Sequence, residues 1–184
     1  VTSNKALVAA HGTELLRIAR EKKVNFFFEA AVGGGIPVIR TLGTGYQGQV
    51  ITEITGILNG TTNYILTRMD REGAEFGDVL ADAQRLGYAE RNPEADIEGH
   101  DTCRKIAILS SLVTGKEVNF EDVYTEGISK IDSTDFRYAS ELRASIKLVG
   151  SAQFAGDQVT VSVFPLLLSD ENPLYAVHGV YNGI

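Results

Sequence analysis

The chain is poor in cysteine, histidine and basic residues, and it lacks long apolar runs and low-complexity segments. Each shortage excludes something. A single cysteine, Cys103, rules out a disulfide scaffold and fits a reducing, cytoplasmic setting. Three scattered histidines (His11, His100, His178) offer no zinc pattern. Seventeen lysines and arginines against 24 acids leave a net charge of −7, without the basic stripe of a nucleic-acid binder. The densest apolar run, "VFPLLL" (Val163 to Leu168), is far short of the roughly 20 residues a membrane helix needs. No internal repeat and no long Pro/Gly/Ser linker divides the chain.

What remains is an ordinary globular composition: 43% hydrophobic over 184 residues, enough for one sizeable core. The start, "VTSNKALVAAHGTELL", carries no basic leader with a cleavage site and is not a signal peptide. It reads like the middle of a larger protein. The end stops on a strand-like segment. An excised domain is the expectation.

Apolar spacing predicts helices over Ala6–Lys22, from Asn59 or Thr61 through "NYILTRMDREG", over "FGDVLADAQRLG", over Gly99–Thr114 and near Ser133–Arg143. A short helix follows Pro37. Asn25–Val32 reads as a short buried strand carrying Glu29, and β-branched Gln49–Leu58 as another. A hairpin follows, with Ile146, Leu148, Ala152 and Phe154 alternating with polar neighbours. Its turn is "AGD", and Val159, Val161 and Val163 continue the alternation. The fold class is α+β, one domain with a mixed, largely antiparallel sheet covered by helices on one face.

Several motifs have both a plain and a functional reading. "GTGYQG" (Gly43 to Gly48) matches G-x-G-x-x-G, but a helix-like stretch precedes it and a strand follows. The dinucleotide fingerprint needs the reverse order, so a turn is the better reading. "VGGGIP" (Val32 to Pro37) is a tight turn, or a cluster of carbonyls that with Glu29 surrounds a hard cation. "NGTT" (Asn59 to Thr62) is a helix cap, or free N–H groups aimed at a carboxylate. Cys103 beside His100 raises a thiol nucleophile, though a buried structural cysteine is the usual case.

The densest chemistry lies in "GYAERNPEADIEGHDTCRK", Gly87 to Lys105, where five carboxylates and three cations share 19 residues. A solvated loop with an i,i+4 Asp101–Lys105 pair is the plain reading, worth a few tenths of a kcal/mol. Two features resist it. Tyr88, Pro93 and Ile97 interleave with the acids, and Lys105 directly precedes the apolar run "IAIL".

Together, "VTSNKAL", "FFFEAAVGGGIPVI", "ITGILNGTTNYIL", "LGYAERNPEADIEGHDTCRKIAIL" and "NPLYAVHGVYNGI" resemble the homoserine dehydrogenase family, in order and across essentially the whole chain. The resemblance implies reduction of L-aspartate 4-semialdehyde to L-homoserine with NADPH or NADH, in threonine, methionine and isoleucine biosynthesis. It implies a Rossmann domain, a central substrate and dimerisation domain, and often a regulatory domain. Residues 1–184 resemble the central part, with the nucleotide-binding domain absent. A homodimer is implied.

By motif, Lys105 matches the family's catalytic lysine and Lys5 the lysine of its T-x-N-K turn, beside the cofactor. Ser3 stands where Ala or Pro is frequent. Asp96 joins the catalytic set. Gly60, Thr61, Tyr88, Glu90 and Asp101 match positions that line the substrate pocket, and Glu29, Val32, Gly34 and Ile36 a monovalent cation site for sodium. The chemistry is consistent: hydride addition to an aldehyde makes negative charge on oxygen, which an ammonium stabilises and protonates. An amino-acid substrate brings an ammonium for Glu90 and Asp101 and a carboxylate for Gly60 and Thr61. Two rival readings remain: an inactive dimerisation module, and a cysteine-dependent semialdehyde dehydrogenase.

Overall fold

Helix formation along the second half of the chain starts from local signals. Gly99, with φ +81°, turns the chain into a helix at His100–Thr114, and Gly115 ends it. Two further helices start on side-chain caps. Asn59 caps Gly60–Glu72 by accepting the Thr62 amide at 2.8 Å, and Asp132 with Asp135 forms a capping box on Ser133–Glu141.

A computed structural model describes residues 1–46 and 48–184. In chain order it contains α1 (Lys5–Lys22), α2 (Val38–Arg40), α3 (Gly60–Glu72), α4 (Phe76–Arg85), α5 (Glu94–Ile97), α6 (His100–Thr114) and α7 (Ser133–Glu141). The strands are β1 (Glu53–Gly56), β2 (Tyr124–Thr125), β3 (Ala144–Ala155) and β4 (Gln158–Ser169). They form one mixed sheet of order β1-β3-β4-β2, antiparallel except for the short β2–β4 pair. The class is α+β, as the sequence reading holds.

The β3–β4 hairpin turns at Gly156–Asp157, a two-residue loop with Ala155 opposite Gln158. Pro165 falls opposite Leu148, beyond the Ser162–Val163 stretch that β2 covers, so its missing N–H sits on an open edge. α6 lies across the sheet: Gly150 of β3 is walled by Thr102, Ile106 and Leu58. α1 packs on α6, and α7 on β3. Ile65, Leu66, Ile106, Leu109 and Leu148 are buried at the centre of the core. Each contributes roughly 1.5–3 kcal/mol of transfer free energy, an upper bound against an extended unfolded chain.

Three sequence expectations are corrected. Asn25–Val32 is not a strand. Its one backbone bond to the N-terminus is Thr2 N–H to Phe27 O at 2.9 Å, Phe27 is 59% exposed, and Glu29–Ala31 is a single 3-10 turn. An apolar run becomes a strand only where another strand offers it a ladder. Within Gln49–Leu58 only Glu53–Gly56 is strand, paired with Gly150–Gln153 of β3; Phe154 N–H also reaches the Thr52 carbonyl at 2.9 Å, Ile57 pairs with Gly183 instead, and Val50 is 88% exposed. In β3 the alternation fails as well. Ser145, Lys147 and Val149 are as buried as Ile146 and Leu148, because α3 and the C-terminal segment flank β3 where β1 has ended.

The "GTGYQG" stretch begins in a π-helical turn at Thr41–Gly45, and Gln47 lies outside the described residues. No helix starts after it before β1 among the described residues, so it lacks the strand-to-helix setting of a nucleotide cradle.

Candidate active site

Three elements meet around Asp101. It lies in the first turn of α6, where a carboxylate is favoured by the helix dipole, and it is 4% exposed. Lys105, one turn later, donates to Asp101 Oδ2 at 2.7 Å and to the Leu58 carbonyl at 2.7 Å. Lys5, in the first turn of α1, donates to the other oxygen, Asp101 Oδ1. Asn59 completes the cluster: its amide donates to Asp101 Oδ2 at 3.0 Å and to Asp96 Oδ1 at 2.7 Å. Residues 96 positions apart in sequence are thus held on one carboxylate.

Burial by itself would push the Asp101 carboxyl up. The Lys105 charge and the hydrogen bonds from Asn59, Lys105 and Lys5 outweigh it and hold Asp101 below the usual carboxylate range. Asp96 goes the other way: burial raises it, the Asn59 bond only partly offsets this, and the Asp101 charge raises it further. The two neighbouring acids are driven apart, one fixed as an anion and one made a better proton acceptor. The lysine side chains differ in access. Lys105 is 14% exposed and Lys5 42%, so the first is sheltered and the second stands at the rim.

Asp101, not Asp96, is the acid that pairs with Lys105. Asp96 on α5 and Glu90 on the preceding loop make no ion pair with a cation among the described residues. Glu90 is exposed, and its carbonyl accepts from Gln84 at 3.1 Å. Gly60 and Thr61 begin α3, where N–H groups have no partner within the helix. Thr61 Oγ1 donates to the Tyr88 carbonyl at 2.6 Å, and the Tyr88 ring packs on Tyr64 with centroids 5.0 Å apart. Lys5, Thr61, Tyr88, Asp96, Asp101 and Lys105 are therefore linked through Asn59 and α3. Asn59 itself was legible only as a cap; nothing in the sequence announced that its amide bridges two acids.

The Glu29 segment lies elsewhere, ahead of α2. The Glu29 carboxylate accepts the Ile39 and Arg40 amides at 2.9 Å each, capping α2. Gly33 and Gly34, at φ +84° and +59°, turn the backbone sharply. The Glu29 carbonyl accepts Val32 N–H at 3.4 Å and the Ile36 carbonyl accepts Val38 N–H at 2.8 Å. The Val32 and Gly34 carbonyls accept no hydrogen bond among the described residues. Cys103 is buried, its Sγ 3.2 Å from the Phe120 carbonyl, and burial pushes its thiol up. A thiolate nucleophile is disfavoured there.

Comparison with known proteins converges on one family. A family profile described as homoserine dehydrogenase matches residues 37–184. The chain belongs to the homoserine dehydrogenase family. It is 47% identical to the homoserine dehydrogenase of Bacillus subtilis over 184 residues, all of this chain and 42% of the relative. It is 48% identical to that of Synechocystis over 188 residues, 43% of the relative. The crystal structure of a homoserine dehydrogenase from Thiobacillus denitrificans superposes with a TM-score of 0.93 at 46% identity, covering 98% of this chain and 42% of that one. A hyperthermophilic archaeal homoserine dehydrogenase in complex with NADPH matches with a TM-score of 0.82 at 33% identity, covering 98% of this chain and 51% of that one. The chain spans about two-fifths of the length of the curated relatives it matches. No helix among the described residues is long and apolar enough to cross a membrane.

Proposed function

We propose that residues 1–184 are the substrate-binding and dimerisation domain of a homoserine dehydrogenase that interconverts L-homoserine and L-aspartate 4-semialdehyde. The observation that carries this reading is the convergence of Lys5, Lys105, Asn59 and Asp96 on or beside the buried Asp101 carboxylate. Family membership supplies the reaction class, and this cluster supplies its proton chemistry.

In this reading Lys105 protonates the aldehyde oxygen as negative charge develops on it, and takes the proton back in the reverse direction. Asp101 holds the ammonium in place and shares its charge with Lys5. The substrate ammonium sits by Glu90 and Asp96, the two acids without a cationic partner, with Asp101 adding negative potential behind them. The substrate carboxylate takes the N–H groups of Gly60 and Thr61 at the start of α3, and Tyr88 closes that side. A nicotinamide, NADP or NAD, supplies the hydride when bound. The chain fits it only at an edge: the Lys5 side chain stands half-exposed at the rim, while the G-x-G-x-x-G match lacks the flanking order of a nucleotide cradle. The isolated chain is therefore proposed to be inactive alone.

A monovalent cation, sodium in our proposal, is held by the carbonyls of Glu29, Val32, Gly34 and Ile36, two of which have no donor. A second copy of the chain is the proposed partner, in the cytoplasm, within threonine, methionine and isoleucine biosynthesis. The buried thiol of Cys103 speaks against a cysteine-dependent mechanism.

The test is Lys105→Met in the full-length enzyme. Loss of the proton donor should lower turnover by about a thousandfold, the scale of general-acid and charge-stabilising groups. Wild-type turnover in that variant would reject the assignment.

A further inference from the structure

The chain buries a second lysine away from Asp101. Lys147, in the middle of β3, is 0% exposed. It makes no salt bridge among the described residues. Its ammonium instead meets neutral acceptors: the Val177 carbonyl at 2.7 Å, Asn63 Oδ1 at 3.3 Å and His178 Nδ1 at 3.3 Å. An ammonium has only donors, so Nδ1 of His178 accepts and that ring is neutral.

Two of these acceptors, Val177 and His178, belong to one C-terminal segment, and the third, Asn63, to α3 beneath it. Residues 177–183 form a strap across the first turns of α3. Asn63 donates to the carbonyls of Val177 and Tyr181 at 3.3 and 3.0 Å, and Thr67 Oγ1 accepts the Gly179 amide at 3.0 Å. Ile57 and Gly183 exchange backbone bonds of 2.8 and 3.1 Å. The strap presses on Gly60 so closely that a Cβ there would lie 2.7 Å from the Val180 carbonyl. Gly60 follows Asn59, the residue whose amide bridges Asp96 and Asp101.

We propose that Lys147 is a positioning residue for the active site, acting through Val177 and Asn63 to fix the strap against Gly60. The strap in turn sets where the Gly60 and Thr61 amides and the Asn59 side chain stand. Shape alone would hold such a strap loosely. One buried ammonium bonded to two strap acceptors, Val177 and His178, and to Asn63 of α3 holds the strap in one place, because sliding would break these bonds. This inference rests on the reading of Gly60 and Thr61 as the substrate carboxylate site.

The experiment compares Lys147→Met, Thr67→Val and Glu90→Gln in the full-length enzyme, by steady-state kinetics with homoserine and by amide exchange at Gly179. Lys147→Met should raise KM for homoserine by about tenfold, the size of one lost charged hydrogen bond, with a much smaller change in kcat. Thr67→Val should shift KM the same way by less, and both should speed Gly179 exchange. Should Lys147→Met fail to fold, Thr67→Val decides by the same measures. Faster Gly179 exchange with unchanged KM would overturn the proposal and leave Lys147 a purely structural residue. Glu90→Gln separates the two failures. If it raises KM while neither strap variant does, this inference falls alone; if it also leaves KM unchanged, the substrate site itself is misassigned.

Discussion

Replacing Lys147 with Met should change the pH dependence of stability far more than stability at neutral pH. The ammonium falls from its ordinary 10.5 to about 8, first because of burial, with the Asp70 charge opposing and Arg71 adding to the fall. The folded chain thus holds this proton less tightly than the unfolded chain. Below pH 8 both states are protonated, and the folded state bears the full cost of a buried charge. Between pH 8 and 10.5 only the unfolded state keeps the proton, so this group makes stability rise with pH. Above that range both are neutral and the gain is complete. A gap of roughly 2.5 pH units corresponds to about 3 kcal/mol. Met does not titrate. It leaves Asn63 Oδ1 without a donor, at about 1–3 kcal/mol at any pH. At pH 7 the two effects nearly cancel. At pH 10.5 the variant should trail wild type by about 3 kcal/mol more than at pH 7. Urea unfolding of both proteins from pH 7 to 10.5 at fixed salt gives the difference curve, in which groups away from Lys147 cancel; His178, held below its ordinary 6.5 by burial and in part by the Lys147 charge, titrates below this range. A flat difference curve would refute the reasoning.

Two further outcomes follow from close packing and burial. Gly127→Ala puts a Cβ 2.2 Å from the Ile97 carbonyl and 2.4 Å from Glu98 Cα, both backbone, so α5 and Asp96 must move. The expected cost is about 1–3 kcal/mol or more in a urea melt, and an unchanged midpoint would show that the 97–127 contact is slack. Cys103 should react with an aromatic disulfide reagent only after unfolding; fast labelling of native protein would contradict its burial and revive the thiol mechanism.

The elements legible in the sequence are those whose signals are local. Asn59 marked the start of α3, and apolar spacing marked α6 over Gly99–Thr114, because such signals act within a turn or two of the chain. The hairpin was legible because its alternation runs on both sides of a tight turn. Asn25–Val32 was misread because a strand exists only where another backbone meets it, and that partner is not written in the segment itself. The lysine in "SIKLV" read as a polar, outward residue, yet it is fully buried, because α3 and residues 177–183 close over β3 where β1 stops.

The sequence by itself determined the family and the α+β class, and it put forward the residues proposed for the site, since Lys5, Asp96, Asp101 and Lys105 all stand in recognisable motifs. Only the tertiary structure decided the pairings: that Asp101 rather than Asp96 grips Lys105, that Lys5 shares that carboxylate, and that Asn59 joins the two acids. Motifs record which groups are present. Which charge compensates which depends on distances across segments far apart in the chain, and those are set when α1, α3 and α6 pack around one core.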